Sequence, residues 1–134
     1  MSSVTRLSAW PTRLATAFGE APFASAKVIA VFTESGLMAR RLSALRPEQR
    51  IVALTHTREV LNELALVWAI EPLLHPHSET TEEMIRTGDR TLLESGITQQ
   101  GEMIVLMAGR LSGLGLSSSM TLHSVGESVA KPQQ

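Results

Sequence analysis

The chain alternates between short unbroken apolar runs and longer stretches in which apolar residues recur at helical spacing. Val28 to Phe32 is the first such run, and the absence of any polar residue in it predicts a strand covered on both faces. After Thr33, Ser35 and Gly36, the residues Leu37, Met38, Leu42 and Leu45 share one face of a helix that Arg46-Pro47 should stop. Ile51 to Leu54 is a second buried strand, ending in Thr55-His56-Thr57. Thr57 is placed to cap a helix with Val60, Leu61, Leu64 and Val67 or Trp68 on its apolar side and Glu59 and Glu63 on its wet side. Ile70 to Leu74 is a weaker strand that Pro72 assigns to a sheet edge. Thr80 and Glu83 have capping-box spacing for a third helix, which carries Met84, Ile85, Gly88 and Leu92 on one face and stops at Gly96. Met103 to Ala108 is a fourth apolar run, Gly109 to Gly115 a glycine-punctuated loop, and Ser117 to Val125 a last strand.

This order predicts an α/β three-layer sandwich with a mainly parallel sheet, whose last strand, reached without a helix, is antiparallel to its neighbour. The chain divides into an N-terminal helical segment at 1–25, an α/β domain at 26–126 and a polar tail at 127–134. In the first segment Trp10, Leu14 and Phe18 recur at helical spacing, with Pro11 suited to a first turn and Gly19 to a C-terminal cap. Met1 to Gly19 holds no acidic residue and has a faint likeness to a mitochondrial targeting peptide, but the apolar spacing favours a short packed helix. Its exposed stripe also suggests self-association, as a dimer.

Composition narrows the function classes. A chain of 134 residues makes one domain, able to bury roughly two-thirds of its unfolded surface without staples. A net charge of −1 leaves no electrostatic footprint for nucleic acid or an anionic membrane. The longest apolar run, Leu64 to Ile70, is too short to span a bilayer. The absence of cysteine excludes disulfides and thiolate metal sites, and suits a reducing, cytoplasmic setting.

The candidate chemistry lies where the first buried strand gives way to a helix. The free N–H groups of a first helical turn and the positive end of its dipole point to the place where the strand stops, a design suited to an anion. Thr33 and Ser35 are expected to cap the helix whether or not an anion binds. His75 and His77, followed by Glu79, Glu82 and Glu83, lack a third ligand at a recognised spacing. The stretch reads as a solvated loop before a helix with an acidic first turn, and no metal or cofactor is assigned. Gly113-x-Gly115 is half a dinucleotide fingerprint after the wrong strand, with Ser118 where a third glycine belongs. Asp89, the only aspartate, falls mid-helix beside Gly88, and no catalytic constellation is visible.

Taken together, the pieces A-K-V-I-A-V-F-T-E-S-G at 26–36, L-R-P at 45–47, I-V-A-L-T at 51–55, V-W-A-I-E-P at 67–72, L-L-E-S-G-I-T-Q-Q-G-E at 92–102 and the glycine loop into S-S-S-M-T-L resemble the C-terminal α/β domain of pyruvate kinase. The resemblance implies a five-stranded sheet in order 3-2-1-4-5 without the family's catalytic barrel, standing alone or excised. It implies no catalytic residue, with substrates and metals of the kinase held by the barrel. The expected roles are holding a phosphorylated effector, a sugar phosphate or nucleotide, in glycolytic regulation, and forming a subunit contact. Carried over, Thr33, Glu34, Ser35, Gly36 and Met38 match the phosphate-binding turn, and Gly109, Arg110, Ser112, Gly113 and Gly115 match the effector loop. Met38 stands where many members carry a hydroxyl, which leaves a purely structural or assembly module as the alternative. In the implied sheet order both segments emerge at the carboxyl ends of adjacent parallel strands, where a crevice opens.

Overall fold

All five side chains of β2 (Val28–Phe32) are buried, which puts this strand at the centre of the sheet. The computed structural model describes residues 4–7, 25–77, 80–112 and 115–126. A short strand, β1 (Val4–Leu7), precedes β2. After β2 come α1 (Leu37–Leu45), β3 (Arg50–Thr55), α2 (Arg58–Leu64), β4 (Ile70–Leu74), α3 (Thr81–Ser95), β5 (Met103–Ser112) and β6 (Gly115–Ser124).

The sheet order is β1-β6-β5-β2-β3-β4. Without β1 it is the expected five-stranded arrangement, with β2 parallel to β3 and β5, β3 parallel to β4, and only β6 reversed against β5. Strand β1 adds a sixth member, antiparallel to β6 from Val4↔Thr121 to Leu7↔Ser118. It covers the row of backbone donors and acceptors that β6 would otherwise leave open. Trp10, Leu14, Phe18 and the tail at 127–134 lie outside the described residues.

Alternation along β2 divides the core in two. Ile29 and Val31 join Ala39 and Leu42 of α1 and Leu64 of α2 in one layer. Val28, Ala30 and Phe32 join Leu92 of α3 in the other. A strand buried on both faces needs apolar residues at every position, the pattern that made it legible. Helix α3 approaches the sheet at Gly88, where a Cβ would stand 2.6 Å from Phe32 Cζ. A larger residue there would displace either the helix or the ring. The helix opens as expected, with Glu83 N–H donating to Thr80 Oγ1 at 3.1 Å, and closes on Gly96 at φ 78°.

Two boundaries and one backbone conformation differ from the sequence reading. Helix α2 ends at Leu64, and that residue alone of its apolar series is buried. The next residues leave the helix, so that Leu66 and Trp68 are 90% and 62% exposed. The chain must turn there to bring Ile70 beside Ile51, and Ala69 adopts φ 60° to do so. The Trp68 carbonyl is held by Ser43 Oγ at 2.7 Å, and Arg46 stacks on its indole at 5.1 Å. Helix α1 stops before Pro47 as expected, but Arg46 takes the left-handed conformation at φ 50° rather than an extended one. Finally, the glycine-punctuated loop is much shorter than 109–115. Strand pairing continues to Ser112↔Gly115, leaving a two-residue connection. Antiparallel pairing satisfies the backbone groups at Gly109 and Gly115, whose lack of side chains had suggested a turn.

Candidate anion site at the carboxyl end of the sheet

Strand β2 ends at Thr33, whose N–H donates to the Leu54 carbonyl at 3.0 Å and so anchors the turn to β3. The buried Thr33 Oγ1 accepts the Gly36 N–H at 2.8 Å, and exposed Ser35 Oγ accepts the Leu37 N–H at 3.3 Å. Both hydroxyls therefore serve amides at the start of α1, although the N-cap position itself is Gly36. Gly36 sits at φ 87°, and a Cβ there would meet Leu64 Cδ2 at 3.2 Å. Glycine is thus favoured twice, by the left-handed backbone and by the close approach of α2. The first intrahelical bond is Arg40 N–H to the Gly36 carbonyl, so the amides of Met38 and Ala39 belong to the turn that has no helical acceptor. Each hydroxyl accepts from an amide and still has its own proton to donate.

Each candidate residue of this turn occupies a distinct position. Glu34 and Ser35 are exposed, and the Glu34 carboxylate lies on the solvent side, where it opposes an incoming anion. The Met38 side chain is 2% exposed and packs in the α1–α2 core layer, so its contribution at the surface is confined to the backbone amide. Arg40, the next cation along α1, is paired with Glu63 at 3.5 Å on the surface.

The second expected segment stands beside the first. Phe32 pairs with Ala108, which brings Gly109 level with Thr33 on the neighbouring parallel strand. From there Gly109, Arg110, Leu111 and Ser112 pair with Ser118, Ser117, Leu116 and Gly115 as a two-stranded arm. Four residues of strand carry it about 13 Å past the end of β2. Gly113 lies outside the described residues. At the carboxyl ends of β2 and β5 a helix start thus stands beside a hairpin.

Two polar clusters bring together residues that the sequence places far apart. Asp89 is buried at 2% exposure, with Oδ1 3.0 Å from His123 Nε2 and Oδ2 accepting the Gly126 N–H at 3.1 Å. Its place on the sheet-facing side of α3, one residue from Gly88, was the available signal. The other cluster corrects the reading of a solvated loop at His75 alone, since Pro76 and His77 are exposed and 78–79 lie outside the described residues. His75 is 7% exposed, its ring set edge-on against Phe32 at 5.5 Å between centroids. The chain is drawn in because His75 N–H extends the sheet by donating to the Thr55 carbonyl at 2.9 Å. His77 meets His56, from the end of β3, at 4.7 Å between ring centroids. Burial holds the His75 imidazole below its ordinary pKa, reinforced by the charge of His56, with the Pro76 and Leu54 backbone pulling weakly the other way.

A family model described as the pyruvate kinase alpha/beta domain matches residues 15–123. The chain belongs to the pyruvate kinase α/β domain family. It is 37% identical over 108 residues to the pyruvate kinase of Staphylococcus saprophyticus, and 35% identical to that of Staphylococcus haemolyticus. Each alignment covers 80% of this chain and 18% of the relative, so the chain spans less than a fifth of those kinases. Among solved structures, Cryptosporidium parvum pyruvate kinase in complex with ADP superimposes with a TM-score of 0.70 at 24% identity, over 89% of this chain and 24% of that one. That likeness establishes the fold. All the candidate site residues of this pyruvate kinase domain, from Thr33 to Gly115, fall inside the matched span, as do Asp89 and His123. Among the described residues, no helix is long and apolar enough to cross a membrane.

Proposed function

We propose that this domain is a regulatory, non-catalytic unit that binds a phosphorylated small molecule, a sugar phosphate or nucleotide, at the Thr33–Met38 turn beside the β5–β6 arm. The observation that supports the reading is the pairing of Phe32 with Ala108, which puts the helix start after β2 beside the hairpin that continues β5. A phosphate there would draw on the hydroxyl protons of Thr33 and Ser35 and on the Met38 and Ala39 amides, with the helix dipole adding to the attraction. Arg110 is the candidate cation from the arm. A cytoplasmic setting and a part in glycolytic control belong to the same reading. So does the expectation that the purified chain forms no pyruvate from phosphoenolpyruvate and ADP.

The test is a thermal-shift screen with phosphorylated sugars and nucleotides, followed by amide NMR. A ligand at a hundredfold its dissociation constant adds about 2.7 kcal/mol of stability. Ser35→Asp should abolish that gain by putting a carboxylate where the phosphate sits, and Arg110→Ala should weaken binding by about 1–3 kcal/mol. Shifts confined to another surface would refute the placement. The second reading, a module kept for subunit association alone, is favoured by the burial of Met38 and by the amides already taken up at Gly36 and Leu37. It predicts a dimer by light scattering and no response to any phosphorylated ligand.

A further inference from the structure

The histidines at the carboxyl ends of β3 and β4 form a group that the anion site does not use. His56 follows β3 and His77 follows β4; both are exposed, and their rings meet at 4.7 Å between centroids with an interplanar angle of 63°. They are 21 positions apart in sequence, and it is the parallel pairing of Thr55 with Leu74 that brings them together. Next to them in the chain fold is His75, more than nine-tenths buried, whose Nδ1 has no hydrogen-bond partner among the described residues. A buried imidazole nitrogen left unpaired carries a desolvation cost, and such groups ask for a partner outside the protein. His75 is close enough to both neighbours for their charges to act on it.

We propose that His56 and His77 bind a borderline divalent transition metal, of the Zn2+, Ni2+ or Cu2+ class. Neutral imidazole suits these ions, whereas Mg2+ and Ca2+ require an oxygen-rich set. With metal–nitrogen bonds of about 2.1 Å, two imidazoles at roughly right angles on one ion hold their ring centroids about 5 Å apart. The rings now meet edge-to-face with centroids 4.7 Å apart, within that range, and being exposed they are free to turn so that a nitrogen of each faces one ion. Among the described residues no three ligating side chains already surround one point, so the remaining positions fall to water or to a reoriented His75. The site is separate from the anion crevice: it lies over β3 and β4, on the far side of β2 from the β5–β6 arm.

The test uses the full chain prepared without a histidine tag. Isothermal titration with ZnCl2 and with NiCl2 should give one saturable site in the micromolar range, reversed by EDTA. His56→Ala and His77→Ala should each weaken it at least tenfold, while leaving the unfolding midpoint of the metal-free protein unchanged because both rings are exposed. In NMR, substoichiometric Ni2+ should broaden the His56 and His77 ring signals before that of His123. Binding only at millimolar metal, equal affinity in the two variants, or broadening centred on His123 would each overturn the assignment.

Discussion

The turn at Thr33–Met38 and the Asp89–His123 pair are both polar devices at opposite ends of the same sheet, and they are built on different principles. In the turn, hydroxyls serve amides two and three residues away, at a surface where Glu34 and Ser35 are exposed. In the pair, a carboxylate reaches partners 34 and 37 residues away and is shut off from water. In the first, each hydroxyl has made one bond as an acceptor and still carries a proton to donate. The second has both carboxylate oxygens occupied, and joins α3 to the end of β6 and the following turn. A short-range network can hold a loop in shape and still offer a site. A long-range buried one holds elements together and offers nothing to a ligand.

The most direct way to break this comparison is to remove one partner from the buried pair. Asp89→Ala should cost about 3 kcal/mol in urea unfolding, since it strands His123 and the Gly126 amide in the interior. Asp89→Asn, which retains hydrogen-bonding capacity, should cost clearly less. An equal loss in the two variants would mean that packing, not pairing, is what the carboxylate provides. A smaller effect is expected in the turn, where Gly36→Ala forces a side chain into φ 87° and against Leu64. The expected loss is about 1–2 kcal/mol. A neutral or stabilising result would show that the turn can relax, and would weaken its claim to be a preformed site.

His75 sharpens the same contrast, because it is buried like the pair while its Nδ1 has no hydrogen-bond partner among the described residues. His75 binds its proton less readily folded than unfolded, so the unfolded chain takes up more protons as pH falls. Stability should therefore be fully present above the ordinary imidazole pKa of about 6.5 and decline as pH drops below it. Thermal melts in the presence of EDTA should show the slope, and His75→Leu should flatten it. No difference in slope between the two proteins would remove His75 from the account. The smallest effect belongs to Arg50 and Glu71, a two-pronged pair at 2.6 and 2.9 Å across β3 and β4 that is about half exposed. Glu71→Gln should cost no more than about 1 kcal/mol, and less in high salt. A salt-independent loss would mark the pair as structurally closer to Asp89–His123 than its exposure suggests.

Most of the fold was legible because its signals are local. The unbroken run from Val28 to Phe32, the capping spacing of Thr80 and Glu83, and Gly96 after α3 each act within a few residues, and the structure bears them out. The same holds for Thr33 and Ser35 at the start of α1. Where local signals pointed the wrong way, a distant constraint had intervened. The helical spacing that reached Val67 and Trp68 was overridden because Ile70 had to pair with Ile51. The glycines at 109 and 115 were taken for a loop because nothing nearby shows that each has a partner across a hairpin.

By itself, then, the sequence determined the succession of elements, the two-faced burial of β2 and the chemistry of the turn that follows it. These depend on side-chain periodicity, caps and backbone preferences that each segment carries with it. Tertiary structure alone decided which polar groups became partners. Asp89 acquired His123, His56 acquired His77, and His75 went into the interior against Phe32. The physical reason is that such contacts cost chain entropy to form and are set by strand order and register, which no window of neighbouring residues contains.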